Sequence, residues 1–284
     1  MELVNCHTHT VYSGHGAGSV EELVSAAKRA GLRTLAITEH YPLPQALDPT
    51  HENAIQEHEL PQYLQEIHAA QEAQAAQEAA CESAQEQGGA PLEIIAGAEI
   101  DWLGAQEERT MDAHAFEPFS YTLLSVHFID GWGFDDPAYL DGWKERGANE
   151  VWRRYVELWI QAACSDWPVH AMAHPDLVKK FGYYPSFDVG KCYKEMAEAI
   201  ASTHKIIEVN AAGAYYDCKE MYPSLELLRL FCKAGIPCSV GTDAHTPAHV
   251  TRGLSQAYAL MYEAGYRAIT VPTQSGDYRL VPFD

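Results

Sequence analysis

The seven cysteines, Cys6, Cys81, Cys164, Cys192, Cys218, Cys232 and Cys238, are odd in number and include no C-x-x-C pair. That lack argues against both a disulfide framework and a thiolate zinc site. Cys6 adjoins His7 but would face the opposite side of a strand, so it reads as a core residue. Positive charge is scarce: 19 Lys and Arg stand against 40 Asp and Glu, a formal net charge of -21. Such a surface repels long nucleic acid and anionic membrane, while a small anion can still bind where positive charge gathers locally. No run reaches the roughly 18 uninterrupted apolar residues of a membrane span, and no basic stretch leads into an apolar one at the N-terminus. These absences predict a cytoplasmic protein. No linker divides the chain, and 284 residues, 47% hydrophobic and 21% charged, can bury a large core. One domain over 1–284 is therefore expected.

What is present is an alternation of short apolar runs with helical patterns. The runs are LVNC (3–6), LRTLAIT (32–38), LEIIAGA (92–98), YTLLSV (121–126), VHAMA (169–173), KIIEV (205–209) and IPCSVG (236–241). They are near-continuously hydrophobic, as parallel strands covered on both faces should be. The clearest helix start is the capping box from Ser19 to Glu22, which opens an apolar stripe through Leu23, Val24, Ala27 and Ala30 and stops at Gly31. Further helices are expected over 59–87, 142–164, 188–203, 223–234 and 254–264. The segment 68–89 is low in complexity and strongly helix-forming, which reads as a long solvated helix inserted over about 59–89. Repeated strand and helix predict an α/β fold, a seven-stranded TIM-like barrel, with YRAITVP (266–272) offering an eighth strand.

Each apolar run ends in a residue able to bind metal. Strand one ends in His7 and His9, strand two in Glu39 and His40, strand three in Glu99 and Asp101, and strand four in His127. Strand five ends in His174, strand six in Glu208 and Asn210, and strand seven in Asp243 and His245. With 14 histidines in the chain, chance alone supplies about 0.7 His-x-His pairs, so the pair at His7 and His9 means little by itself. A parallel barrel, however, brings all these strand ends to one face, where such folds hold their active sites. Residues i and i+2 of a strand share a side, which suits His7 with His9 and Asp243 with His245 to gripping one ion together. Imidazole and carboxylate without thiolate fit zinc, manganese or iron. His51, His58, His68, His114, His204 and His249 read as surface or loop residues, and His170 lies inside its strand. Glu39, Asp101 and Asp176 read as carboxylates that orient histidines.

The segments CHTHTVYSGHGAGSVEELVSAAKRAGLRTLAITEH, GAEID, SVHF, AHPDLVKKFG, EVNAAG and GTDAH resemble, in order and spacing, the polymerase-and-histidinol-phosphatase (PHP) superfamily, and within it the histidinol-phosphatase branch. The resemblance runs from residue 3 to about 265. It implies a distorted (β/α)7 barrel with three divalent metal ions. One ion would take His7, His9, Glu99 and Asp243, a second Glu99, His127 and His174, and a third His15, His40 and His245. Three dications against the two carboxylates leave about +4 to hold a phosphate dianion and a hydroxide. The implied activity is hydrolysis of L-histidinol phosphate to L-histidinol and phosphate, a step of histidine biosynthesis, by a hydroxide activated at the metals. Glu99, Asp243 and His245 stand nearest that chemistry. A water at the centre, Asp243 or His245 is the candidate proton donor to the leaving alkoxide.

Substrate binding calls for a cation against phosphate and a carboxylate against the amine or imidazole. Arg153, Arg154, Lys179, Lys180, Lys219 and Arg252 are the basic candidates, and Glu208 and Asn210 could meet the polar end of the substrate. Many relatives carry a basic residue just after the NxxG turn, whereas this chain has Ala214, Tyr215 and Tyr216 there. The runner-up is a PHP phosphoesterase for another small phosphate ester or a nucleotide. An amidohydrolase also opens on His-x-His but does not call for TEH, GAE and Asp-x-His together. A non-catalytic metal-binding domain fits poorly, because all nine ligand positions are filled.

Overall fold

The structure, a computed structural model, describes residues 2–84, 91–105 and 113–283. Seven strands build the centre: β1 (Val4–Asn5), β2 (Thr34–His40), β3 (Glu93–Asp101), β4 (Tyr121–Ser125) and, after a small hairpin β5 (Phe128–Ile129) and β6 (Trp132–Gly133), β7 (Ala171–Met172), β8 (Ile206–Asn210) and β9 (Cys238–Gly241). They pair in parallel in the order β1-β2-β3-β4-β7-β8-β9. Beyond the two ends of that order, Cys6 N donates to Val240 O at 2.8 Å, Asp243 N to His7 O at 3.0 Å and His9 N to Ala244 O at 2.8 Å, which brings the sheet round into a barrel. All seven residues of β2 are buried, as a strand inside a helix-covered barrel must be.

The helices are α1 (Val20–Ala30), α2 (Leu60–Ala84), α3 (Asp141–Arg146), α4 (Ala148–Ala163), α5 (Gly190–Ala201), α6 (Leu225–Lys233) and α7 (Leu254–Ala264). The capping box of α1 forms in both directions, with Glu22 N donating to Ser19 Oγ and Ser19 N to Glu22 Oε2, and Gly31 ends the helix in the left-handed region. The helix expected over 142–164 is two, because Gly147 turns to φ 78 and its N–H closes on Trp143 O. The helix expected as an insertion over 59–89 is, in its described part, the β2–β3 crossover; residues 85–89 lie outside the described residues. Its first turns, ahead of the low-complexity segment, bury Tyr63 and Ile67, while residues 68–80 are exposed or half-buried, as a solvated stretch should be. The Tyr63 hydroxyl lies 2.7 Å from Ile37 O and 2.9 Å from Gly97 O, pinning α2 across β2 and β3.

The proposed eighth strand exists but does not join the barrel. Residues Ala268–Pro272 form β10, which pairs antiparallel with β11 (Tyr278–Pro282) in a separate sheet. With β1 and β9 already bonded to each other, the barrel has no free edge to take it. The hairpin instead spans the start of several strands: Ser120 Oγ donates to Gln274 O, Gln274 Nε2 to Ile94 O and Arg279 Nη2 to Thr34 Oγ1. It covers the N-terminal end and leaves the C-terminal ends open. Among the described residues no helix is long and apolar enough to cross a membrane.

Removing the Tyr63 hydroxyl leaves two buried carbonyls without that donor, so Tyr63→Phe should cost about 1–2 kcal/mol. Thermal unfolding should then show a lowered midpoint; an unchanged one would contradict the pinning role.

Candidate metal centre

At the open end of the barrel nine side chains converge. His7 and His9, two apart on the segment leaving β1, are fully buried, with their Nε2 atoms 3.0 Å apart. The β2–β3 register sets His40 beside Glu99. Glu99 Oε2 lies 3.2 Å from His7 Nε2, 3.4 Å from His9 Nε2 and 3.0 Å from His40 Nδ1. Its other oxygen, Oε1, lies 2.8 Å from His174 Nε2 and 3.6 Å from His127 Nε2, and accepts a short hydrogen bond from Ser125 Oγ. Asp243 Oδ1 stands 3.3 Å from His9 Nε2 and 3.7 Å from His7 Nε2. His15 returns from the loop after β1 to stack 4.6 Å from the His245 ring, with His40 at 5.4 Å.

The outer hydrogen bonds decide which nitrogens face inward. His7 Nδ1 meets Glu208 Oε1 at 2.8 Å, and His127 Nδ1 meets Asp101 Oδ1 at 2.9 Å. His245 Nδ1 meets Asp243 O at 3.0 Å, and His15 Nδ1 meets Ser13 O and Glu52 O. Carboxylates and carbonyls can only accept, so each of these Nδ1 atoms carries the hydrogen and presents an Nε2 lone pair to the centre. The Nε2 atoms of His7 and His9, 3.0 Å apart, must share a proton or a cation between them. Among the described residues Glu99 Oε2, His9 Nδ1, His174 Nδ1 and His245 Nε2 are buried with no hydrogen-bond partner, an arrangement that is costly without an ion. The donor set therefore fits divalent metal ions.

Electrostatics of the bare protein agree. Burial opposes charge on His7, but Glu208, Glu99 and Asp243 outweigh it and hold the imidazole well above its ordinary range. Against the same burial, Asp243 and Glu39 raise His9 to about 9, and Asp101 and Glu99 raise His127 to about 10. Glu99 and Asp243 are buried as well, yet the surrounding imidazoles, His7 foremost, hold both carboxyls well below the usual carboxylate range. Burial, reinforced by the neighbouring His9, pushes His40 and His245 down. Protons thus stand in part where metal charge would.

The backbone is shaped to the same end. His174 sits at φ 23 and Asp243 at φ 53, a region in which residues with side chains are strained and which concentrates at functional sites. Gly241 has no alternative, since a Cβ there would lie 2.1 Å from Glu208 Oε1 and 2.4 Å from His7 Cβ.

The groupings of donors within 4.8 Å of one another are His7/His9/Asp243, His9/His40/His245 and His40/Glu99/His127. The group His7/His9/Asp243 falls inside the first expected set, while the other two each join members of different sets because His40 stands between Glu99 and His245. The substrate candidates fare differently from expectation. Lys179 is fully buried and spends its ammonium on Asp176, Glu220 and Met221 O. Arg154 is bound to Asp130 and Glu157, Arg153 stacks on Phe187, and Lys219 is exposed. Glu208 and Asn210 are buried; Glu208 bridges His7 Nδ1 and His174 N, and Asn210 Nδ2 donates to Glu208 and Asp243. They brace ligands instead of facing substrate. Arg252 lies 3.5 Å over the Tyr215 ring and Lys180 4.7 Å over Tyr216, both in the turn after β8. Asp101 meets a histidine as expected, and Glu39, 3.8 Å from His9, accepts from Thr10. Asp176 touches no histidine; it binds Lys179 and Ser224 N because its strand has already turned away. Sequence reasoning missed Ser125 and Asp135, for which a serine inside a strand and a loop aspartate carry no local signal.

The PHP domain model matches residues 5–212. This chain belongs to the PHP domain family. A Deinococcus radiodurans protein named "Probable histidinol-phosphatase" is 30% identical to this chain over 269 residues, covering 94% of the chain and 96% of the relative. A Thermotoga maritima protein of the same name is 22% identical, covering 95% of each. The crystal structure of histidinol phosphate phosphatase from Lactococcus lactis, complexed with zinc, L-histidinol and phosphate, superposes with a TM-score of 0.74 at 21% identity, covering 97% of this chain and 98% of that one.

Glu99 turns one oxygen to each side of the cluster, whereas Asp101 touches it only through His127. Elemental analysis of reconstituted protein should therefore find Glu99→Ala with clearly less metal than Asp101→Ala; equal contents would contradict the bridging geometry.

Proposed function

We propose that this PHP domain is a metal-dependent phosphomonoesterase whose substrate is L-histidinol phosphate, released as L-histidinol and phosphate. The observation that carries the reading is the ring of inward-facing imidazoles around the two oxygens of Glu99, supported by the relatives that match over nearly their whole length. His7, His9, His15, His40, Glu99, His127, His174, Asp243 and His245 would hold three divalent ions, with zinc favoured by the Lactococcus complex over manganese or iron. Bound there, such ions supply positive charge against phosphoryl oxygens and acidify water.

The protein's own contribution is placement. Glu208 and Asp101 fix the rings of His7 and His127, so little reorganisation is left for the reaction. His7, His9, Glu99 and His174 are sealed from solvent, while the side chains of Asp243 and His245 keep 19% and 28% of their exposure. Those two residues line the face on which a small phosphate ester arrives. The proton for the departing alkoxide would come from that side, from a water there or through Asp243; the Nε2 of His245, once it holds an ion, has no lone pair left to carry one. No serine or cysteine nucleophile is required.

Phosphate release over L-histidinol phosphate, an aryl phosphate, nucleotides and a phosphodiester tests the reading. We expect kcat/KM to be highest for histidinol phosphate, to vanish on chelation and to return with divalent metal. A diester preference, or no phosphate release from metal-loaded protein, would overturn it.

A further inference from the structure

Three loops that follow barrel strands meet beside the cluster. Asp135 comes from the loop after β4, just past the hairpin whose Phe134 N bonds back to His127 O. Lys180 comes from the turn that begins at His174, and Tyr216 from the turn after β8. Lys180 Nζ binds Asp135 Oδ2 at 3.0 Å, with both side chains mostly buried, at 13% and 17% exposure. The ammonium also lies over the Tyr216 ring. All three loops leave the ends of strands that carry cluster residues, His127, His174 and Asn210, so the pair sits at that end of the barrel; burial resists charge on both groups, yet Lys180, with His127 and His174, holds Asp135 low, and Asp135 holds Lys180 high. Neither residue carries a metal-ligand role, and no helix or strand needs the pair to form.

A mostly desolvated ion pair is weak support for a fold, but breaking it one-sidedly is costly, because the remaining charge is left buried without a partner. That asymmetry makes it a selective gate. We propose that Lys180 and Asp135 are the specificity pair of this site, exchanging each other for the two charges of a phosphorylated amino alcohol: Lys180 takes phosphoryl oxygens and Asp135 takes the substrate's ammonium. The proposal rests on the phosphomonoesterase reading above and adds which chemical class fits. An ester carrying both charges repartners both groups. An ester with an uncharged alcohol draws Lys180 away and leaves Asp135 unpaired, so the site discriminates by repulsion as well as by attraction. Tyr216 keeps an aromatic face against the ammonium of Lys180 during the exchange.

The test uses metal-loaded protein, wild type and the variants Asp135→Asn and Lys180→Gln. Kinetics compare L-histidinol phosphate with an alkyl phosphate of similar length that has no amine. Wild type should prefer the amine-bearing ester, and Asp135→Asn should reduce the ratio of the two kcat/KM values by about tenfold or more. Lys180→Gln should raise KM for both esters by about tenfold. Calorimetric titration of wild type with the non-hydrolysable phosphonate analogue of L-histidinol phosphate and with its amine-free counterpart gives a second readout that needs no turnover and no variant; the amine-bearing phosphonate should bind at least about tenfold tighter. An unchanged kcat/KM ratio in Asp135→Asn, or equal binding of the two phosphonates, would overturn the exchange. Loss of phosphate release from every ester in wild type would instead overturn the phosphomonoesterase reading, and the binding titration distinguishes the two failures.

Discussion

One carboxylate organises this protein. Glu99 is buried near the C-terminal end of β3, turns Oε2 toward His7, His9 and His40, and turns Oε1 toward His174, His127 and Ser125. A lone carboxylate in that position would be expelled or protonated. It stays ionised because five imidazoles from four strand ends surround it, and those imidazoles are tolerable together because the carboxylate and the charge they share lie between them. The rest of the structure serves that arrangement. The parallel register brings His40 to Glu99, the bonds joining β1 to β9 carry Asp243 across to His7, and the missing side chain of Gly241 makes room for Glu208 to hold the back of the His7 ring.

Stability and chemistry are therefore in tension at the open end. The bare centre gathers raised imidazoles beside depressed carboxylates, a balance that protons alone meet only in part, since His40 and His245 resist charging. The opposite end carries no such burden. There the hairpin of β10 and β11 ties strand starts together through ordinary hydrogen bonds, in keeping with the division of barrels into a catalytic face and a stabilising one.

Much of this was legible in the order of residues. Seven apolar runs that end in His, Glu or Asp predict both the barrel and the face on which its polar residues gather, because strand period and parallel topology leave few other places for them. The capping box at Ser19 and the stop at Gly31 are local chemistry and appear where they were expected. The break at Gly147 is local chemistry that the helical pattern on either side obscures. The other misreadings depend on contacts distant in sequence, since nothing local says that the strand at 268–272 will find the barrel already closed. Nor does AHPDLVKKFG distinguish Lys179, locked under Tyr222 by Asp176 and Glu220, from Lys180, one residue later and turned to the opposite partner.

That last contrast shows how the site divides labour. Two adjacent lysines emerge from the turn after His174. Lys179, fully buried, is bonded to groups on both sides of the β7 and β8 loops and fixes the turn that carries His174 and its strained backbone. Lys180 has one carboxylate partner and lies over the rings of Tyr216 and Phe181, which is enough to hold a charge in place without consuming it. A cation with all its donors spent can only support structure. A cation with a single exchangeable partner can be given a new one at little net cost, provided that the partner it leaves is satisfied in the same event. A PHP centre surrounded by an acidic surface needs the second kind of cation, since net charge alone would turn a phosphate dianion away. Placing it in a mutual pair with Asp135 makes admission depend on both ends of the incoming molecule at once.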